Sequence, residues 1–120
     1  MSMTEDNKMH AEEQSAAENE EAMNAEYERR EKIAEEKGLH ILYEDNQIIV
    51  ALKPQMLGCC PDESKDKNLF DLIKEYIKEA YGKTGNVYLG LVHRLDRPTG
   101  GIMVYAKTSK AASRLSEGLA

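Results

Sequence analysis

Nine consecutive residues, His93-Arg94-Leu95-Asp96-Arg97-Pro98-Thr99-Gly100-Gly101, bring together a carboxylate, two guanidinium groups, an imidazole, a hydroxyl and a glycine pair. A carboxylate placed between arginines is expected to stay ionised and to be held in one orientation. That arrangement suits a nucleophile working beside a phosphate-bearing substrate. In an extended segment Arg94 and Asp96 share one side while His93 lies on the other, so His93 reads as structural. Pro98 supplies a rigid corner directly after the carboxylate, and Gly100-Gly101 a flexible one.

A reactive loop needs rigid elements on both sides. Before it, Val87 to Val92 reads as a strand; after it, Ile102 to Lys107 reads as another. Further upstream, Ile41–Asp45 and Ile48–Lys53 flank the polar turn Asp45-Asn46-Gln47 and predict a β-hairpin. Lys53-Pro54 ends its second strand, because proline cannot donate into a ladder; a strand-ending turn is preferred here over a ligand contact. Asn68 is placed to cap a helix, with Asp71 completing a capping-box-like start. Leu69, Leu72, Ile73, Tyr76, Ile77 and Ala80 then recur at steps of three and four, the apolar face of a helix running to about Tyr81, with Gly82 as its stop. Tyr76 and Tyr81 read as core, and Tyr105 as a packed strand residue. Thr108 or Ser109 can cap a last helix carrying Ala111, Ala112 and Leu115.

The charge is unevenly spread. The chain has 120 residues and a net charge of −6. Residues 1–38 carry 12 acidic against 5 basic side chains, while 39–120 are nearly balanced, 10 against 11. The acidic segment, rich in Ala, Glu, Lys and Asn, predicts a solvated helix or a disordered leader, since Met23, Tyr27 and Ile33 are too few for a docking stripe. The balanced remainder excludes a broadly basic nucleic-acid-binding domain and leaves only local cationic clusters. No apolar run approaches membrane-spanning length and no basic-then-apolar signal opens the chain, so a cytoplasmic location and no membrane partner are the expectation. Cys59 and Cys60 are adjacent, have no further cysteines to pair with, and read as small apolar side chains in a turn.

His-Arg-Leu-Asp followed by Thr-Gly-Gly and an apolar strand ending in Ala106-Lys107-Thr108 resembles the signature of the RluA-type RNA pseudouridine synthases. The hairpin ending in Lys53-Pro54 is similar to that family's opening hairpin and its Asn-Lys-Pro turn, with Leu52 where asparagine is usual. Gly90-Leu91-Val92-His93 and Ser109 to Ser116 also fit, so the resemblance covers about residues 39–117.

The resemblance implies an α+β fold: part of a mixed, mainly antiparallel sheet with flanking helices, behind an acidic helical or disordered leader at 1–38. It implies that a uridine in ribosomal or transfer RNA leaves its stack and is isomerised to pseudouridine with no cofactor and no metal. Asp96 falls on the family's catalytic aspartate. Arg94 falls on an arginine that fills the space left by the flipped base; the alternative reading is a structural pair with Asp96. Arg97 and Lys107 are the further candidates for RNA phosphate, with surface solvation as the alternative reading of each. Family members continue past the position of Ala120 and complete their site with a later tyrosine and a later basic residue. The resemblance therefore implies that residues 39–120 are the front part of a catalytic domain. Such a part is expected to be inactive alone and to self-associate through open sheet edges. The alternatives are a non-catalytic RNA-binding fragment and a protein-interaction module centred on the acidic helix.

Overall fold

A computed structural model describes the backbone of residues 5–119 and the side chains of residues 13–118. Residues 1–4 of the expected leader, and Ala120, lie outside the described residues. The chain divides into two compact units, one ending at Lys32 and one spanning 33–120.

Helix α1 (Glu5–Glu36) makes up the first unit and enters the second with its last turn. Within the first unit the side chains from Glu13 to Arg29 are all exposed, including Met23 and Tyr27. Local propensity and pairs such as Glu26 with Arg29 (2.9 Å) and Arg30 (3.8 Å) support the helix. Of the three large apolar residues in this stretch, only Ile33 is used. It is buried with Ala34 in the core of the second unit. Gly38, at φ +72°, closes the helix, and Leu39 is buried directly after it.

The second unit is a four-stranded, wholly antiparallel sheet in the order β1-β2-β4-β3. Its strands are β1 (Ile41–Glu44), β2 (Ile48–Lys53), β3 (Gly90–Leu91) and β4 (Gly101–Ala106); its helices are α2 (Leu69–Ala80) and α3 (Ser109–Leu119). The predicted hairpin forms: Asp45 Oδ1 accepts from the N–H groups of Gln47 (2.7 Å) and Ile48 (2.9 Å) and fixes the turn. Alternation along β2 and β4 puts Ile49, Ala51, Lys53, Met103 and Tyr105 on one face. There the apolar residues join Leu69, Ile73, Tyr76 and Ile77 of α2 in a single core. Burying each of these large side chains contributes about 1.5–3 kcal/mol. Asn68 caps α2 as expected: its side chain accepts from the Asp71 N–H (2.9 Å) and donates to the Asp71 carboxylate (2.9 Å).

The strand expected over Val87–Val92 is only two residues long. Val87 and Leu89 are buried, yet the backbone enters the ladder only at Gly90–Leu91. A Cβ at Gly90 would lie 2.8 Å from Tyr88 Oη, 3.1 Å from Ala112 Cβ and 3.3 Å from Ala106 Cβ. Glycine is what lets α3 close down on the β3–β4 end of the sheet. At the other end, the same face carries exposed Leu52 and Ile102. Among the described residues no helix is long and apolar enough to cross a membrane.

The contact at Gly90 gives a stability prediction. Gly90→Ala overpacks the seam by about 1–3 kcal/mol, which lowers the melting temperature by roughly 4–8 °C for each kcal/mol in a unit of this size. Calorimetry that finds an unchanged melting temperature would show that α3 does not press on β3.

Candidate active site

The loop between β3 and β4 is held in place by contacts on every side of Asp96 except at its carboxylate. On leaving β3, the chain hands over to a side chain: His93 Nε2 accepts the Val104 N–H at 2.9 Å. This replaces the backbone acceptor that a longer β3 would have supplied, and it puts the imidazole proton on Nδ1. His93 is therefore structural, as its side of the strand suggested. Leu95 is half-buried and packed on the core, with its Cδ1 3.2 Å from where a Cβ at Gly101 would stand. Arg94 and Asp96, one residue either side, face solvent. A turn closes the loop, with the Thr99 N–H donating to the Asp96 carbonyl at 2.9 Å.

Lys53 anchors the loop from below. Its side chain is only 1% exposed, and Nζ donates to the carbonyls of Pro54 (3.2 Å), Leu57 (2.7 Å) and Arg97 (3.0 Å). All three protons of an ammonium group are thereby used. The strand-ending turn expected at Lys53-Pro54 is present. The clasp that Lys53 makes there is an additional feature, which the alternation Ile49-Ala51-Lys53 on the buried face of β2 could have revealed. Gly100 fits the same corner: a Cβ there would lie 3.2 Å from Gln55 Cγ and 3.3 Å from the Lys53 carbonyl oxygen.

The two arginines do not clamp Asp96. Side chains alternate along the loop, so Arg97 points away from Asp96 and into the 62–66 segment. There Nη2 donates to Asp62 Oδ2 (2.5 Å) and Ser64 Oγ (3.1 Å), and Nη1 to Asp66 Oδ2 (3.3 Å). The Ser64 hydroxyl first, and Arg97 second, hold the Asp62 carboxyl below the usual aspartate range. Among the described residues neither Arg94 nor the Asp96 carboxylate forms an ion pair. The side chain expected to be held between guanidinium groups instead stands open beside one exposed arginine.

Lys107 lies at the far end of β4, about 20 Å from the Asp96 loop at the strand rise of ~3.3 Å per residue. It is committed inside the protein: Nζ donates to Glu44 Oε2 (2.6 Å) and the Asp45 carbonyl (2.8 Å) and sits 4.7 Å from the Tyr81 ring centre. Glu44 also accepts from Tyr76 (2.6 Å) and Tyr81 (2.5 Å). Tyr81 is thus a partly exposed member of this polar network and not the core residue its place on α2 suggested; Tyr76 and Tyr105 are buried as expected. The Tyr105 hydroxyl donates to the Cys59 carbonyl at 2.6 Å, and burial pushes its pKa above the ordinary value. Both cysteines are free thiols; burial and then the Cys59 thiol push that of Cys60 up, as suits packing residues. Among the described residues no three histidine, cysteine, aspartate or glutamate side chains gather as a metal site.

The antiparallel sheet thus presents an exposed aspartate in a His-Arg-Leu-Asp loop that Lys53 holds from below. The family model described as RNA pseudouridylate synthase matches residues 47–120, and the chain belongs to that family, in agreement with its RluA-type signature. Among similar proteins, the ribosomal large subunit pseudouridine synthase D of Yersinia pestis is 40% identical over 82 residues, covering 68% of this chain and 24% of that protein. The protein of the same name from Escherichia coli is 39% identical over 101 residues, covering 82% and 30%. A solved structure of human RNA pseudouridylate synthase domain containing 4 superposes with a TM-score of 0.58 at 27% identity, over 78% of this chain and 34% of that one. The chain therefore spans a quarter to a third of the length of the proteins it matches.

The Glu44 network carries a pH prediction. Burial alone would raise the Glu44 pKa, but hydrogen bonds from Lys107, Tyr76 and Tyr81 outweigh it and hold the carboxyl below its ordinary 4.5. A carboxyl whose pKa is lower folded than unfolded stabilises fully above the unfolded value, and that stabilisation is lost as pH falls through the folded one. Urea unfolding of the native chain should show this loss below pH 4.5. Glu44→Gln should be less stable at pH 7 and have a flatter acid limb; an unchanged acid limb would mean that Glu44 is not held by this network.

Proposed function

We propose that this chain provides the aspartate-bearing part of an RNA pseudouridine synthase, an isomerase acting on large-subunit ribosomal RNA. In this reading a uridine leaves its stack to reach Asp96, an extrusion that costs a few kcal/mol. The N1–C1′ bond breaks and a C5–C1′ bond forms; C5 gives up its proton and N1 takes one up, so atoms balance without a cofactor. Asp96 attacks or supports cleavage of the sugar–base bond. Arg94, exposed on the same side of the loop, stacks its planar cation in the vacated position and meets phosphate. Arg97 and Lys107 act on RNA only through the scaffold, because their charges are spent on Asp62, Asp66 and Glu44.

The observation that carries this reading is the exposed Asp96 carboxylate, free of partners among the described residues, on a loop fixed at its neighbours by His93, Lys53 and Arg97. A nucleophile needs that combination of an open reacting group and a rigid support. A ribosomal RNA substrate would place the protein in the cytoplasm. The exposed apolar residues Tyr43, Leu52 and Ile102, with β1 and β3 as open edges, favour association with further polypeptide, including a second copy.

The test is a chimera in which residues 39–120 replace the matching segment of the Escherichia coli relative. It should form pseudouridine in large-subunit ribosomal RNA. Its Asp96→Asn form should lose activity by about a thousandfold or more, with RNA affinity within about twofold of the parent. An Asp96→Asn chimera that still forms pseudouridine at the parental rate would refute the assignment.

A further inference from the structure

Arg97 ties the loop that carries Asp96 twice, once to the end of β2 and once to the segment that follows it. Lys53 Nζ takes the Arg97 carbonyl at 3.0 Å. On the other side of the same residue, the guanidinium enters a cradle of alternate oxygens, Asp62, Ser64 and Asp66. The cradle sits on an irregular stretch pinned at both ends. The Gly58 carbonyl accepts from Leu69 N–H at 2.8 Å at the start of α2, and the Cys59 carbonyl accepts from Tyr105. A Cβ at Gly58 would stand 3.7 Å from Arg97 Nη2, so the cradle floor lies directly under the guanidinium. Asp96 makes none of these contacts, yet the turn that bears it starts at its own carbonyl and pivots on Arg97.

We propose that Asp62, and more weakly Asp66, are positioning residues for Asp96, acting by holding Arg97 against the 62–66 segment, so that Arg97 is a strut of the site and not a ligand for RNA phosphate. This rests on Asp96 being the reacting carboxylate, but the mechanical claim is separable from the chemistry. Hydrogen bonds from the two terminal nitrogens of one guanidinium to carboxylates four residues apart fix its direction as well as its distance, which a single lysine contact would not do. The longer bond to Asp66, 3.3 Å against 2.5 Å, sets the order of importance. The two protein carboxylates on the guanidinium also repel a phosphate that approaches Arg97.

The experiment is amide hydrogen exchange on the full chain, read at Thr99, whose N–H closes the turn on Asp96, with the α2 amides as an internal control for folding. Asp62→Asn should speed exchange at Thr99 by about fivefold to tenfold while leaving α2 protection unchanged. Asp66→Asn should have a smaller effect, and Asp62→Glu should restore most of the protection. Asp62→Asn combined with Arg97→Gln should be no faster than Arg97→Gln alone. Binding of a short uridine-containing single-stranded RNA separates the rival role. If Arg97 is a strut, Asp62→Asn does not tighten binding, and Arg97→Gln leaves its salt dependence unchanged. Tighter binding on Asp62→Asn, a salt slope reduced by about one on Arg97→Gln, or unchanged Thr99 exchange would each overturn the proposal. Full activity of the Asp96→Asn chimera described above would remove Asp96 from catalysis and leave these readings of the loop intact.

Discussion

A lysine ammonium buried at the end of β2 holds this structure's working corner together. Lys53 points inward because the pleat of β2 gives it the same face as Ile49 and Ala51. A charge in that position is costly unless every proton finds an oxygen. Three carbonyls, two from the turn after β2 and one from the loop before β4, meet that requirement. A strand end, a turn and a loop more than forty residues on are thereby fixed to one point. An apolar residue there would leave three carbonyls short of a donor, and an arginine would be too long and planar for so compact a corner.

The sheet separates two polar clusters that differ in how far their charged groups are satisfied. At the N-terminal end of β4, lysine and arginine are used to hold a loop while a carboxylate and one arginine are left to solvent. At the C-terminal end, Lys107 and Glu44, with 11% and 9% of their side chains exposed, are closed off with two tyrosines. The first cluster combines a rigid support with an unsatisfied reactive group. The second is satisfied throughout and ties β1, the start of the β4–α3 connection and the C-terminal end of α2 to one another. That difference in satisfaction, more than residue type, separates the candidate site from scaffold.

Much of this was legible in the sequence. The hairpin, the Asn68 cap, the apolar face of α2 and the inward Tyr105 follow from local periodicity and turn chemistry. The Asp96 loop was found from composition, spacing and family resemblance. What the sequence hid was pairing over distance. Nothing local marks Asp62 and Asp66 as the partners of Arg97, thirty-odd residues away, so its nearest carboxylate, Asp96, looked like the partner. Lys107 looked like a phosphate contact for the same reason: Glu44 is sixty-three positions away. Ile33 does not stand out because a single apolar residue makes no stripe, though one buried turn of α1 suffices. The shortened β3 reflects a side chain, His93, doing the work of a backbone acceptor, which periodicity does not register.

The central claim is that a buried Lys53 ammonium clasps the Asp96 loop to the strand end. Its most direct test is nitrogen-15 NMR of the lysine side-chain ammonium groups in the full chain. The clasp predicts one ammonium, assigned to Lys53, that is protected from exchange with water and shows couplings through its hydrogen bonds to the carbonyl carbons of Pro54, Leu57 and Arg97. A Lys53 ammonium that exchanges as fast as that of an exposed lysine such as Lys78, with no such couplings, would contradict the account.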